Sequence, residues 1–460
     1  MIAVTKHLKP HREFKEAGAA RALEQTDLPI GRTDVELSVP DSELVLADPS
    51  VRPAKILALL RLHGHPVGIA VLDGRLGLSW HRHVPEVWAA VGGAVNAHLA
   101  ADGLPRVECL AEVACEPVVS AQCLRWHEEL LLHAPVITVV VATRDRPDSV
   151  CECLDALLLM EYPAFEIVVV DNDPTTEETA RAISRRFGAR VRYVRENRRG
   201  LAAAHNRGLS AARGEIVAFV DDDVVVDRHW LTGIAEGFAS GPDVACVTGL
   251  ILPAQLETPA QLLLEQHGGF DKGFELHVFD TSLNRPADPL FPFTAGRFGS
   301  GANMAFDTAV LRRLGGFDPA IGAGTFARGG DDLAGFFRVV VAGHQLVYQP
   351  SAVVWHRHHR DMAALRNQAY GYGVGLGAYL TSALIHEPAM VAGLVRRLPR
   401  GLGYTFGAAS DRNRGRYDGL PGDLACLEKR GVLFGPVAYA ISRWRTRGAS
   451  TTAGSRGGRQ

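Results

Sequence analysis

Cysteine is scarce and odd in number. The seven, Cys109, Cys115, Cys123, Cys151, Cys153, Cys246 and Cys426, are too thinly spread for a disulfide scaffold and fit a reducing cytoplasm. Cys151 and Cys153 fall on a predicted helix, where i and i+2 do not face each other, so they read as packing thiols. Long apolar runs are missing too: no stretch of about 18 uninterrupted apolar residues occurs, which excludes a predicted membrane-spanning helix. Met1 to Gln25 is broken by Lys6, Lys9, Arg12 and Lys15 and builds no signal-peptide core. The net charge is only -2, so no global field argues for nucleic acid as a partner. Two nucleotide signatures are absent as well, the Gly-x-Gly-x-x-Gly turn after a first strand and the Gly-x-x-x-x-Gly-Lys-Ser/Thr loop. A nucleotide bound here would rely on carboxylates and a metal.

What is present is an ordinary globular composition, 47% hydrophobic and 22% charged, at a length that suits roughly two or three domains. We divide the chain into 1–133, 134–361 and 362–460. The first part reads as a small α+β accessory domain. Leu57 to His63 and Pro66 to Leu72 are predicted strands joined at Gly64, and Glu86 to Leu99 is a predicted helix packed on them. His81 and His83 have no acidic or thiol partner nearby and read as part of a surface turn.

At Pro135 the texture changes. Val136 to Ala142, Phe165 to Val170, Val191 to Val194 and Ile216 to Val220 are short β-branched runs, separated by helical patterns of 10 to 13 residues. That alternation predicts a doubly wound α/β sheet, mixed and mostly parallel, whose strand ends converge on one crevice. Three ends are polar: Thr143 to Arg146, Asp171 to Asp173, and the triplet Asp221-Asp222-Asp223. Crowded carboxylates repel, and a divalent cation or basic groups usually compensate; the other reading of the triplet is a solvated acidic turn. Further on, Gly299 to Met304 contains Asn303, and Gly329-Gly330-Asp331-Asp332 opens a helix running to about Ala342. Its two acids read either as an N-cap pair or as a general base facing the crevice. His356, at the end of a predicted strand, is a candidate neutral ligand for the same cation.

These landmarks, in this order over Val136 to His359, resemble family 2 glycosyltransferases of the GT-A fold. The set comprises Thr143 to Pro147, Asp171, the Gly200 to Gly208 stretch with Asn206-Arg207-Gly208, Asp221 to Asp223, and the Gly-Gly-Asp-Asp and Trp-His pairs. The resemblance implies a nucleotide-sugar donor, a UDP-sugar first among the choices. Thr143, Arg146, Asp171, Asn206, Asp221, Asp222 and Asn303 would hold it. Asp223, Asp221 and His356 would bind Mn²⁺ or Mg²⁺, and Asp332, with Asp331 beside it, would be the catalytic base of an inverting transfer. The acceptor would be the hydroxyl of a glycan, a lipid-linked sugar or a secondary metabolite. Two positions depart from the common pattern: His205 stands where Arg often precedes the Asn, and Asp331 where Glu is commoner.

Three rivals share this architecture. A sugar-phosphate nucleotidyltransferase needs a Gly-rich basic loop after the first strand, and Thr143 to Pro147 has no glycine. A non-catalytic glycan- or partner-binding module would not need Asp223, Asp332 and His356 together. A retaining transferase is disfavoured by the paired acids at the helix start.

From Val391 to Gln460 there are 13 Lys and Arg against 4 Asp and Glu. With the apolar stretches Ala378 to Ile385 and Val391 to Leu398 and the arginines Arg396, Arg397 and Arg400, this end reads as a helical, basic extension. It can lie on an anionic membrane at the inner face of the plasma membrane, or pack on the catalytic domain with a solvated tail.

Overall fold

The computed structural model describes residues 23–113, 121–288, 290–390 and 422–454. The stretch with Val391 to Leu398 and its arginines lies outside the described residues.

Strands β1 (Gly31–Glu36), β2 (Lys55–Leu62) and β3 (His65–Asp73) form a three-stranded sheet, with β1 parallel and β3 antiparallel to β2. Helix α1 (Val84–Ala101) lays Val87, Val91, Val95 and Leu99 on it, a spacing of four residues that keeps all four on one face. The hairpin and the helix form as expected; β1 was not anticipated. His81 and His83 part company: His83 is buried and its Nε2 meets the Gly77 carbonyl at 2.8 Å. After α2 (Leu110–Val113), helix α3 (Gln122–Leu132) leads into the second sheet.

That sheet has nine strands. Its first half repeats strand and helix: β4 (Ile137–Thr143), α4 (Pro147–Leu157), β5 (Phe165–Asn172), α5 (Glu178–Phe187), β6 (Arg192–Glu196), α6 (Leu201–Ala211) and β7 (Ile216–Asp221). All pairings in this half are parallel, in the order β6-β5-β4-β7, and Val139, Val140 and Val141 are buried because both faces are covered. Next come β8 (Val224–Val226), α7 (Trp230–Ala239), β9 (Val244–Pro253), α8 (Pro259–Gly268) and β10 (His277–Phe279). They are followed by β11 (Asn303–Asp307), α9 (Thr308–Arg313), α10 (Asp331–Val341) and β12 (Gln345–His356).

The sheet continues as β7-β11-β9-β12-β10, with β8 paired to β12. Here β11 is antiparallel to both β7 and β9, while β9 and β12 run parallel, so the α/β sheet is mixed, as expected. The strand that ends at His356 is long and bulged, with register shifts between Gln345 and Leu346 and between Gln349 and Val353.

The small sheet rests on the β9/β12 flank of the large one. Leu59 packs with Leu250, Leu252, Val353 and Trp355, and the Arg32 guanidinium lies 3.9 Å over the Trp355 ring. Arg61, buried, pairs with Asp34 and with Asp227 at 2.6 Å. Helices α11 (Met362–His386) and α12 (Gly422–Gly454) pack together beside α10, with the Tyr379 ring edge-on to Phe337. They cross so closely that a side chain at Gly435 would meet the Gly377 backbone at 2.5 Å. Among the described residues no helix is long and apolar enough to cross a membrane.

Candidate active site

The parallel register aligns three strand ends. Thr143 lies opposite Asp171, and Ala142 opposite Asp221, so the polar ends of β5, β4 and β7 are neighbours. Asp145 and Asp173, just beyond β4 and β5, take left-handed φ of 53° and 48°, a conformation Asp tolerates better than most residues. Arg144 bridges these turns by donating to the Asp173 carbonyl.

The triplet is shared among different partners. Asp222 is buried and accepts from the Thr143 hydroxyl at 2.6 Å and from Arg146. Burial raises its pKa to about 7 despite Arg146. The Thr143 hydroxyl thus spends its proton on Asp222, and Asp222 is held in the frame of the site. Arg146 also reaches Asp223 Oδ2 at 3.1 Å and remains half exposed.

Asp223 is brought to His356 by the β8–β12 ladder. Val224 pairs with His356, and the Arg357 N–H donates to the Asp223 carbonyl at 3.0 Å. His356 Nε2 then lies 3.4 Å from Asp223 Oδ1, too loosely placed for a hydrogen bond, so that buried oxygen has none. Against the upward push of burial, His356 and Arg146 hold the Asp223 carboxyl well below the usual range. Burial, then the charge of Asp223, raise Asp221 to about 6. One ligand atom from each of Asp221, Asp223 and His356 lies within 4.8 Å of the others. An unsatisfied carboxylate oxygen beside a second carboxylate and an imidazole is a donor set that a hard divalent cation completes.

Behind His356 stands a relay that the sequence reading missed. His356 Nδ1 lies 3.0 Å from His358 Nδ1, and His358 Nε2 lies 3.0 Å from Glu265 Oε2. His358 is buried and Glu265 nearly so, and they orient the His356 ring with Nε2 toward Asp223. The alternating His-x-His at a strand end was the available signal; Glu265 comes from α8, 91 residues earlier, and had none.

The two acids at the start of α10 separate. Gly330 caps the helix with φ of 89°, and a side chain there would meet the Gly375 carbonyl at 2.5 Å, so only glycine allows α10 to start against α11. Asp332 accepts from the Gly301 N–H at 2.9 Å and from Leu333 N–H at 2.8 Å. Burial and the neighbouring Asp331 raise its pKa to about 6. Asp331 is turned inward, 4% exposed, with Oδ2 3.2 Å from His205 Nδ1. Expected beside Asp332 at the crevice, it lies in the core.

Two more of the residues expected at the donor are bonded within the fold. Asn303 belongs to β11, 1% exposed; its amide donates to the Leu250 and Ala352 carbonyls and accepts from Trp230 Nε1–H, which leaves nothing for a donor. Asn206 closes a pair of bonds with the Phe317 backbone, tying α6 to the Gly315-Gly316 turn. Asp171 is the opposite case. Tyr193 O–H donates to Oδ2 at 2.8 Å, and buried Oδ1 has no partner.

The sequence profile of Glycosyl transferase family 2 matches residues 138–313, which include Asp171 and the triplet and stop before Asp332 and His356. The matched segment belongs to glycosyl transferase family 2. The chain is 24% identical over 195 residues to the glucosyl-dolichyl phosphate glucuronosyltransferase of Haloferax volcanii, covering 40% of this chain and 57% of the relative. It is 28% identical over 239 residues to the pre-mycofactocin glycosyltransferase of Mycobacterium tuberculosis, covering 51% of this chain and 46% of the relative. The chain spans about half the length of these curated relatives. A solved structure of a Pyrobaculum calidifontis mannosyltransferase in complex with GDP-Man and Mn²⁺ superimposes on 69% of this chain and 91% of its own, at 20% identity and a TM-score of 0.41.

Proposed function

We propose that this protein transfers a sugar from a nucleotide-sugar, a UDP-sugar in the first instance, to the hydroxyl of a glycan, a lipid-linked sugar or a secondary metabolite, with inversion. The observation that carries this reading is Asp332: a carboxyl at a helix start, tied by one oxygen to Gly301 and raised by burial toward neutral pH, on the strand-end side that holds Asp221.

Asp332 accepts the proton of the acceptor hydroxyl as that oxygen attacks the anomeric carbon, and the bond to the leaving diphosphate breaks on the opposite face. Asp171 Oδ1, the unpartnered oxygen at the end of β5, receives an N–H of the donor's base. Arg146 holds the Asp222 and Asp223 carboxylates in register and offers its exposed edge to the donor. Asp221, Asp223 and His356 would hold Mn²⁺ or Mg²⁺. When bound, that cation supplies charge neutralisation for the departing diphosphate.

Residues 134–361 carry this chemistry in our division. Residues 1–133 brace β12, the strand of His356, through Arg32, Leu59 and His65, whose Nδ1 lies 2.9 Å from Ser351 Oγ. For the extension, 362–460, we propose contact with an anionic lipid surface. Leu433, Val437 and Trp444 fall on one exposed face of α12, next to Arg443 and Arg445. Flotation with anionic and neutral vesicles tests it, and binding to neither overturns it.

Titration calorimetry with UDP, with and without Mn²⁺, tests the donor site beside an Asp223→Ala variant. Metal-dependent binding that the variant loses supports the reading. No binding of UDP, dTDP or GDP under any condition overturns it. The anomeric configuration of the product, read by NMR, tests inversion.

A further inference from the structure

Far from the crevice, four side chains that the transfer reaction does not use converge on one point. His63 directly follows β2, His98 and Asp102 lie one turn apart at the end of α1, and Cys123 is in the first turn of α3. His63 Nδ1 lies 3.1 Å from Asp102 Oδ2, 3.3 Å from His98 Nε2 and 3.5 Å from Cys123 Sγ. Cys123 Sγ is 3.6 Å from His98 Nε2 and 2.9 Å from Asp102 Oδ2, and His98 Nε2 is 3.3 Å from the same oxygen. These are the six edges of a small tetrahedron with a nitrogen, a nitrogen, an oxygen and a sulfur at its corners.

We propose that His63, His98, Asp102 and Cys123 bind a structural zinc ion. Zinc takes thiolate at about 2.3 Å and imidazole or carboxylate at about 2.0 to 2.2 Å, and at tetrahedral angles neighbouring ligand atoms then stand about 3.3 to 3.7 Å apart. The four edges among His63, His98 and Cys123 and from His98 to Asp102 fall in that range, and the two from Asp102 Oδ2 to His63 and Cys123, at 3.1 and 2.9 Å, are shorter, as before an ion enters and parts them. A hydrogen-bonded cluster would direct its atoms in pairs; here the single Nδ1 of His63 faces three heteroatoms at once, and one proton cannot serve them all. A thiolate with imidazoles favours zinc over calcium or magnesium, which take oxygen.

The surroundings lock these atoms inward. Asp102 Oδ1 accepts the Cys123 N–H at 2.9 Å, which aims Oδ2 at the centre. His63 holds a left-handed φ of 55°, and Glu36 fixes that turn by accepting from the N–H groups of His63 at 3.0 Å and Gly64 at 2.8 Å. A non-glycine residue kept in that conformation costs free energy, which a ligand role would explain. Binding requires the thiolate, so the Cys123 proton leaves to solvent as the ion enters, and both imidazoles bind neutral. Four protein ligands leave no open position, so the site is structural. It joins β2 and α1 to α3, which meets α7 of the large sheet where His127 Nδ1 lies 3.3 Å from Glu236. The ion would thus fasten the small sheet to the helix that enters the family 2 segment.

The test is metal analysis of the full chain purified from zinc-supplemented medium, beside Cys123→Ser, His98→Ala and Asp223→Ala variants. Expected are about one zinc per wild-type chain, retained by Asp223→Ala and reduced to background in the other two. Because those two variants can fail to fold, cobalt substitution of the wild type is the second readout: a thiolate-to-cobalt charge-transfer band supports the site. Wild type without zinc and without that band overturns the proposal, as does full zinc retention in both Cys123→Ser and His98→Ala.

Discussion

His205 Nδ1 and Asp331 Oδ2 face each other at 3.2 Å in the core, out of line for a hydrogen bond, directly before the acid that stays at the crevice. The imidazole is wedged between Phe219 and Phe317, with ring centroids 4.9 and 5.1 Å away. Adjacent acids at one helix start therefore take different places: Asp331 lies against His205 in the core, while Asp332 accepts from the Gly301 N–H and is the base in the function proposed above. His205→Ala leaves a buried carboxylate facing a cavity, and we expect a loss of about 2 to 4 kcal/mol in denaturant unfolding.

Asp332→Asn should lower turnover by about 10² to 10⁴ while calorimetric donor affinity stays the same. The pH profile gives a second check. Asp332 must be ionised to accept a proton and titrates at about 6, so the wild-type rate should fall as pH drops through about 6, and the residual rate of the variant should lose that limb.

The His358–Glu265 relay orients His356 without touching donor or acceptor. Outer partners of this kind are worth about 10- to 100-fold in metal affinity. We expect Glu265→Gln to weaken Mn²⁺ binding within that range while metal-free thermal stability changes little; an unchanged metal affinity would remove the relay from the site.

Asn303→Ala distinguishes a core amide from a donor contact. The variant loses three buried hydrogen bonds and strands Trp230 Nε1–H, so about 2 to 4 kcal/mol of stability should be lost. UDP affinity of the folded fraction should match the wild type. A selective loss of affinity with full stability would restore the donor role.

Asp222 has the sign opposite to a salt-bridged surface acid. Its folded pKa of about 7 lies above the unfolded value of 3.8, so the folded state holds the proton more tightly and loses stability as pH rises between these values. Asp222→Asn has no such titration. Its melting temperature, compared with wild type in metal-free buffer, should improve steadily from about pH 4 to about pH 7.

Much of this protein was written locally. Val139 to Val141, Val168 to Val170 and Val217 to Val220 are continuous apolar runs that can only be strands buried on both faces, and the helices between them impose parallel order. The polar residues at their ends then had to meet at one edge, because parallel strands end on the same side. Other positions depended on pairings that no local pattern encodes. Asn303, a donor residue on the resemblance, lies in the core because β11 runs antiparallel between β7 and β9. Asp331 and Asp332 are equivalent in sequence, and only the 100° step of the helix against a buried His205 sends one inward. Glu265 supports His356, and Cys123 meets His63, His98 and Asp102, across 91, 60, 25 and 21 residues of chain. Strand and helix follow from the period of neighbouring residues; a ligand set assembled from distant ones exists only once the sheets have packed.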